Sequence, residues 1–452
     1  MKLLAALAAV AGTLVLTASS STASTPRRVA HHPLGVVPHI AHASRFAPAR
    51  RTKKALGFNC IAACSSYEAT INKYFTDVAA AAAATATDNV YSVATQYPGV
   101  TYGSTFGGSY VAGNPYPTTN TCQDGVDKYC LTDSQLQSEI GRVIAANRWP
   151  RGTQTALYFI FTPANVGICI RPGKSTGKNN ACTTTVFCAY HSASNDNSFI
   201  YAVEPDADAV PGDSSLPHPC SSGEAPAGNG ADSTINTISH EQNEAITDPF
   251  GTAWYSDDGA DNYPEIGDLC AYDFGTPLGG ATGAEYNQVI NGDPYYLQLE
   301  YSNQDGGCVP YLGGTVTAAS PLNGIGPLSD TGPGNPGAGH GGPVMTSNTA
   351  YAIYWVPAKP ANIKLPVISG TPKVGKKLTA SRGAWTNSPK DTYHWLRCSS
   401  AGKSCKGIAS ATTASYRPVT ADKWHRLEVR VTATNAVGSV SATSAPTGVV
   451  RG

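Results

Sequence analysis

ADSTINTISHEQNEAITD, residues 231–248, is the stretch on which the reading of this 452-residue chain turns. Set on a helix at about 100° per residue, Ile235, Ile238, Ala245 and Ile246 form one apolar stripe. The opposite side gathers His240, Glu241, Glu244 and Asp248. Asp232 can cap the start, and Pro249 stops the helix because a residue before proline is driven out of helical geometry.

His240 and Glu244 stand four residues apart, so both can reach one cation from a single helical turn. Glu241 lies on the flank, where a carboxylate can act as general base on a water. The spacing is that of a zincin helix with Glu244 where a second histidine is usual. That exchange makes the donor set more oxygen-rich and opens it to manganese or calcium beside zinc. A catalytic zinc takes three protein ligands and keeps a position free. The third is expected from EIGDLC (265–270), with Glu265 first and Asp268 second. His191, in CAYHS (188–192), is read as a ligand, as a proton donor to an oxyanion, or as a hydrogen-bonded loop residue. The competing reading of the whole helix is a solvated acidic face.

Outward from this segment, residues 56–312 read as one α+β body. Ser65-Ser66-Tyr67-Glu68 has capping-box spacing, followed by Ile71, Tyr74, Phe75 and Val78 at helical intervals. Thr132 and Gln135 repeat that start before Leu136, Ile140 and Val143. TALYFIF (155–161) and FIYAV (199–203) are short, apolar and aromatic, as strands are. Leu297, Leu299 and Tyr301 alternate with polar residues.

At the start, Met1 and Lys2 precede an apolar run from Leu3 to Leu16 and a small-residue stretch, which predicts a secretory signal over residues 1–24. The run is too short for a membrane span. Export makes the 12 cysteines a disulfide inventory. Spacing favours Cys60–Cys64, Cys122–Cys130, Cys270–Cys308 and Cys398–Cys405, leaving Cys169, Cys182, Cys188 and Cys220 for two more. Residues 25–55 are basic and lack apolar periodicity, reading as a removable pro-segment or a disordered leader.

The formal net charge is zero, yet charge is segregated. Residues 55–358 hold 28 acids against eight Lys/Arg, whereas residues 359–452 hold 15 Lys/Arg against three acids. This distribution argues against a nucleic-acid binder. Residues 313–340 are Gly/Pro-rich and read as a linker. Residues 363–450 alternate in short runs such as Leu427-Val429-Val431 between turn residues, predicting an all-β sandwich with Trp395 in its core. Its basic surface suits an anionic cell-wall polymer.

Two resemblances extend these readings. SHEQNEAITDP (239–249), EIGDLC (265–270), CAYHS (188–192) and INKYFTDVA (71–79) resemble secreted proteins related to the exordium, or phosphate-induced, family. The likeness covers most of residues 60–310 and implies an extracellular or cell-wall protein without assigning a reaction. Residues 341–355 (GGPVMTSNTAYAIYW) resemble a strand that relatives carry before the INKYFTDVA helix, so a strand within 341–358 is expected to fold back into the body. Ile368-Ser369-Gly370, Gly383-Ala384-Trp385 and Tyr393 to Cys398 resemble bacterial immunoglobulin-like repeats.

The resulting expectation is an α+β zincin-like body with a C-terminal all-β immunoglobulin-like sandwich. Its function is read as that of a secreted metal-dependent hydrolase, a zinc peptidase acting on extracellular protein or peptide. His240, Glu244 and Glu265 or Asp268 are the metal ligands, and Glu241 and His191 the catalytic pair; zinc, or another divalent cation, is the expected cofactor. The alternative is a non-catalytic wall-associated protein with a structural cation site.

Overall fold

The computed structural model describes residues 34–38, 64–127, 129–152, 155–170, 181–183, 186–210, 220–256, 264–317, 328, 342–387, 390–435 and 438–452. The expected signal segment, most of the basic leader, the Cys60–Cys64 pairing and most of the 313–340 linker lie outside the described residues. In chain order the body contains β1 (Leu34–Pro38), α1 (Cys64–Ala83), β2 (Ser104–Ala112), β3 (Tyr129–Thr132), α2 (Asp133–Asn147), β4 (Ala156–Thr162), β5 (Val166–Cys169), β6 (Phe187–Ala193), β7 (Ile200–Pro205) and α3 (Ala231–Thr247). Short strands β8 (Gln288–Ile290), β9 (Asp293–Tyr295), β10 (Glu300–Ser302) and β11 (Gly307–Val309) precede β12 (Asn348–Trp355). The fold is mixed α/β.

Its centre is a six-stranded sheet in the order β1-β6-β7-β4-β12-β2. β2, β12, β4 and β7 run parallel, while β6 is antiparallel to β7 and β1 to β6. The central strands read as near-continuous apolar runs because both faces are covered. Alternation then sends side chains to opposite layers. Leu157, Phe159 and Phe161 join Ala352 and Tyr354 in the core beneath α1 and α3. Tyr158 and Ile160 join Ile353, Trp355 and the Leu136–Ile140 face of α2 on the other side.

β12 lies between β4 and β2, pairing with both, although it follows the Gly/Pro-rich stretch in sequence. β1 belongs to the basic leader, where no element was expected. Its backbone satisfies the outer edge of β6, with Leu34 opposite His191.

The helix starts follow the sequence in part. At α2 the Thr132 backbone N–H donates to Gln135 Oε1 at 3.0 Å, as the capping-box spacing predicts. The signal expected at Ser65 falls inside α1, which already begins at Cys64. Asp232 does not cap α3: its carboxylate accepts from the Ala227 and Asn229 N–H groups of the preceding turn, and Gly230 is the cap residue.

The named strands of the C-terminal region pair antiparallel, with one isolated parallel bridge between Lys373 and Arg451. It comprises β13 (Ala361–Lys364), β14 (Ile368–Ser369), β15 (Leu378–Ala380), β16 (Ala384–Thr386), β17 (Lys390–Cys398), β18 (Lys406–Gly407), β19 (Ser415–Tyr416), β20 (Arg426–Asn435) and β21 (Gly438–Thr443). A β18-β17-β20-β21 sheet and a β14-β15-β19 sheet share one core around Leu378, Trp395, Leu427 and Val429. Trp395 is fully buried and donates its Nε1–H to the Thr413 carbonyl at 2.9 Å.

Disulfides join Cys122–Cys130, Cys169–Cys182, Cys188–Cys220, Cys270–Cys308 and Cys398–Cys405. Among the described residues, no helix is long and apolar enough to cross a membrane.

Candidate metal centre

α3 packs against β6 and β7 on one side and against α1 on another. It is covered all round, and every residue from Ala231 to Thr247 is buried. The solvated acidic face is therefore overturned: His240, Glu241 and Glu244 all stand at 0% exposure. The apolar stripe holds α3 to the sheet, and the remaining surface faces other protein segments rather than water.

Four segments bring the polar groups together. β6 supplies His191; its neighbour Tyr190 points to the α2 side, so alternation sends the imidazole to the α3 side. α3 supplies His240, Glu241 and Glu244. The turn after α3 supplies Asp248, whose Oδ1 accepts the Thr252 and Ala253 N–H groups. The segment 264–270 supplies Glu265 and Asp268, anchored by the Cys270–Cys308 bridge and by the Tyr301 N–H donating to the Ile266 carbonyl at 3.0 Å. Gly267 lets this segment approach. A Cβ there would lie 2.8 Å from the His240 ring, a distance at which something must shift.

The distances are short. His240 Nε2 lies 2.8 Å from Glu244 Oε1 and 3.6 Å from Asp268 Oδ1. His191 Nδ1 lies 3.1 Å from Glu241 Oε2 and 3.7 Å from Glu244 Oε2, and its Nε2 lies 3.9 Å from Glu265 Oε1. The Asp268 backbone N–H donates to Glu244 Oε1 at 3.0 Å. All six residues expected from the sequence thus meet in one place.

Contact is not matched by hydrogen bonding. Among the described residues no hydrogen-bond partner serves either nitrogen of His240, Glu241 Oε1, Glu244 Oε2, either oxygen of Glu265, Asp248 Oδ2 or Glu300 Oε2. On the same helix Gln242 is paired, accepting from Tyr91 Oη at 2.8 Å and donating to Asn348 Oδ1 at 2.9 Å. An unsatisfied buried polar group costs about 1–3 kcal/mol. A set this large rivals the net stability of a folded protein, about 5–15 kcal/mol. Donors in contact but off the hydrogen-bond axis are what ligands of a common third atom look like. Two groups have mutually convergent donor atoms within 4.8 Å: His240, Glu241 and Glu244, and His191, Glu244 and Glu265. A divalent cation fits this set of imidazole and carboxylate donors.

Protonation follows the burial. Burial, then the Glu244 charge, push Glu241 well above the usual carboxylate range. Burial and Asp268 raise Glu244 to about 7. Glu265 and Glu300 are pushed up chiefly by burial, and Asp248 rises to about 7 for the same reason. Burial alone would lower His240, but the Glu244 carboxylate and its neighbours outweigh it and raise it. His191 falls to about 4 by burial and is neutral at physiological pH. Its Nε2 lies 3.2 Å from the Asp248 carbonyl, which can only accept, so Nε2 carries the proton. Nδ1 then turns a lone pair towards Glu241, whose carboxyl proton it can accept. Of the three sequence readings of His191, this tautomer disfavours the oxyanion donor. The hydrogen-bonded loop residue is corrected in part, since the ring is hydrogen-bonded but His191 lies on strand β6 rather than in a loop.

Glu300 and Glu204 were missed. Glu300 sits at 0% exposure on β10 and accepts from Asn243 Nδ2 at 3.2 Å. Alternation in YLQLEYS (296–302) suggests a polar outer face there, but Gln298 and Glu300 are as buried as Leu297 and Leu299. Glu204 closes the apolar strand β7, accepts from Thr237 Oγ1 at 2.7 Å and is raised by burial to about 8. A carboxylate ending an apolar strand was the available signal. In comparisons with known proteins, no family model and no curated protein matches this sequence.

Proposed function

We propose that the chain is a secreted metal-dependent hydrolase acting on peptide, with a zincin-like centre on α3. One observation carries this reading: His240, Glu241 and Glu244 converge, as do His191, Glu244 and Glu265, while both nitrogens of His240, both oxygens of Glu265 and Glu244 Oε2 lack hydrogen-bond partners. His240 and Glu244 hold the cation, with Asp268 or Glu265 completing the set. A bound dication would supply Lewis acidity and bring the pKa of a water towards neutrality. It would also favour the ionised form of Glu241, which as general base would take a proton on its carboxylate. His191 orients that carboxylate through its 3.1 Å contact.

One feature favours a second reading, a structural cation in an extracellular protein of exordium type: the centre is closed, with His191, Glu241, Glu244 and Glu265 each at 0–1% exposure. The strand β1 bears on this, because it packs against α3 and the turn Asp268–Cys270. We read the closed centre as the precursor form, with the basic leader as a removable pro-segment over an acidic body. The disulfides and the predicted signal support an extracellular setting. The antiparallel C-terminal region, read as an immunoglobulin-like module, would hold the enzyme to an anionic wall polymer.

The test is Glu241→Gln in protein lacking residues 1–54. General-base loss should lower turnover of a peptide library about 10²–10⁴-fold, with metal content unchanged by elemental analysis. Equal turnover of variant and wild type, or none in either, would leave the structural reading standing.

A further inference from the structure

The centre brings together more donors than the three protein ligands a catalytic zinc takes. The two convergent groups share Glu244 and nothing else, and neither contains both histidines. Glu244 Oε1 faces His240 at 2.8 Å, while Oε2 faces His191 at 3.7 Å. Its oxygens thus point to two different imidazoles, as those of a bridging carboxylate do. Glu265, at 1% exposure with both oxygens unpartnered, completes a convergent group with His191 and Glu244. Asp268 lies on the His240 side at 3.6 Å.

Charge points the same way. Glu241, Glu244, Glu265 and Asp268 put four carboxylates around two imidazoles. Ionised as ligands, the four would carry four negative charges, which two dications balance and one does not.

We propose that the centre binds two divalent cations bridged by Glu244. The first seat comprises His240, Glu244 Oε1 and Asp268; the second comprises His191, Glu244 Oε2 and Glu265. This rests on the metal-binding reading above and adds a stoichiometry to it.

The test is a titration of chelator-stripped full-length protein with zinc, read by calorimetry and by elemental analysis after gel filtration. Manganese loading read by electron paramagnetic resonance supplies a second measurement. Two zinc ions per chain and an exchange-coupled manganese spectrum are expected. His191→Ala and, independently, Glu265→Gln should each reduce the count to one while circular dichroism stays unchanged. One ion in the wild type, with an uncoupled spectrum, overturns the two-cation centre and leaves a mononuclear hydrolase. No bound ion overturns both.

Discussion

Asp422 in the C-terminal antiparallel sheet region and Glu244 on α3 are equally buried, both at 0% exposure, yet their surroundings treat them in opposite ways. Asp422 is fully answered: Arg397 Nε donates to Oδ1 at 2.7 Å, and Tyr416 Oη and the Val419 N–H each donate to Oδ2 at 2.7 Å. Glu244 has one oxygen against a backbone N–H and an imidazole, while the other has no hydrogen-bond partner. A carboxylate kept for architecture has its bonds supplied by the chain. One kept for a ligand has them left open, and the fold bears the cost until something binds.

The sharpest way to break this contrast is to remove each carboxylate in turn. Asp422→Ala should destabilise the C-terminal region by about 2–3 kcal/mol, less than the 3–5 of a wholly buried pair because Arg397 is partly exposed. Glu244→Gln in metal-free protein should cost far less, since it removes a group that is poorly paired already. Denaturant melts of both variants decide it, and equal losses would abolish the distinction.

Next in size is Gly267→Ala, which crowds the His240 ring without removing any ligand. Cation affinity should fall about 10–100-fold, the range for groups that only orient ligands. Competition against a chelating dye measures this, and an unchanged affinity would show that the loop approach has no part in holding the site.

The smallest effect expected is a pH slope. Glu204, raised to about 8, and Asp248, raised to about 7, retain protons in the folded metal-free chain that the unfolded chain has already lost. The stability these protons confer is fully present below the unfolded carboxylate range near pH 4 and is lost as pH rises through 7 to 8. His191, lowered to about 4, acts in the other sense only below its unfolded value near 6.5. From pH 6.5 to 8 His240, raised by the Glu244 carboxylate, acts in the same sense as the carboxylates. Chelator-treated protein should lose about 2 kcal/mol through Glu204 and Asp248, with His240 adding to it. Added zinc should flatten the slope; a flat metal-free profile would count against the whole cluster.

The candidate site was unevenly legible in the sequence. His240, Glu241 and Glu244 declare themselves because helical periodicity places them together within one turn. Glu265, Asp268 and His191 were named from composition and nearness to cysteine, without any means of showing where they point. Glu300 stayed hidden because alternation reports only two faces, and β10 has protein on both. The fold divides similarly. β4 and β7 were readable as apolar runs, whereas the strand in the basic leader was not, since residues 25–55 show no apolar periodicity and the strand pairs with β6 through its backbone.

β12 carries a consequence for the order of assembly. The strand separating β4 from β2 is among the last parts of the body to leave the ribosome, more than 180 residues after β4 ends. Until it arrives β2 has no sheet partner, and Asn348 is missing from Gln242 on α3. A nascent chain therefore holds the residues of its centre before the strand that completes the sheet and bonds Gln242 is present, so the last-made part of the body closes the frame around its earliest-made parts.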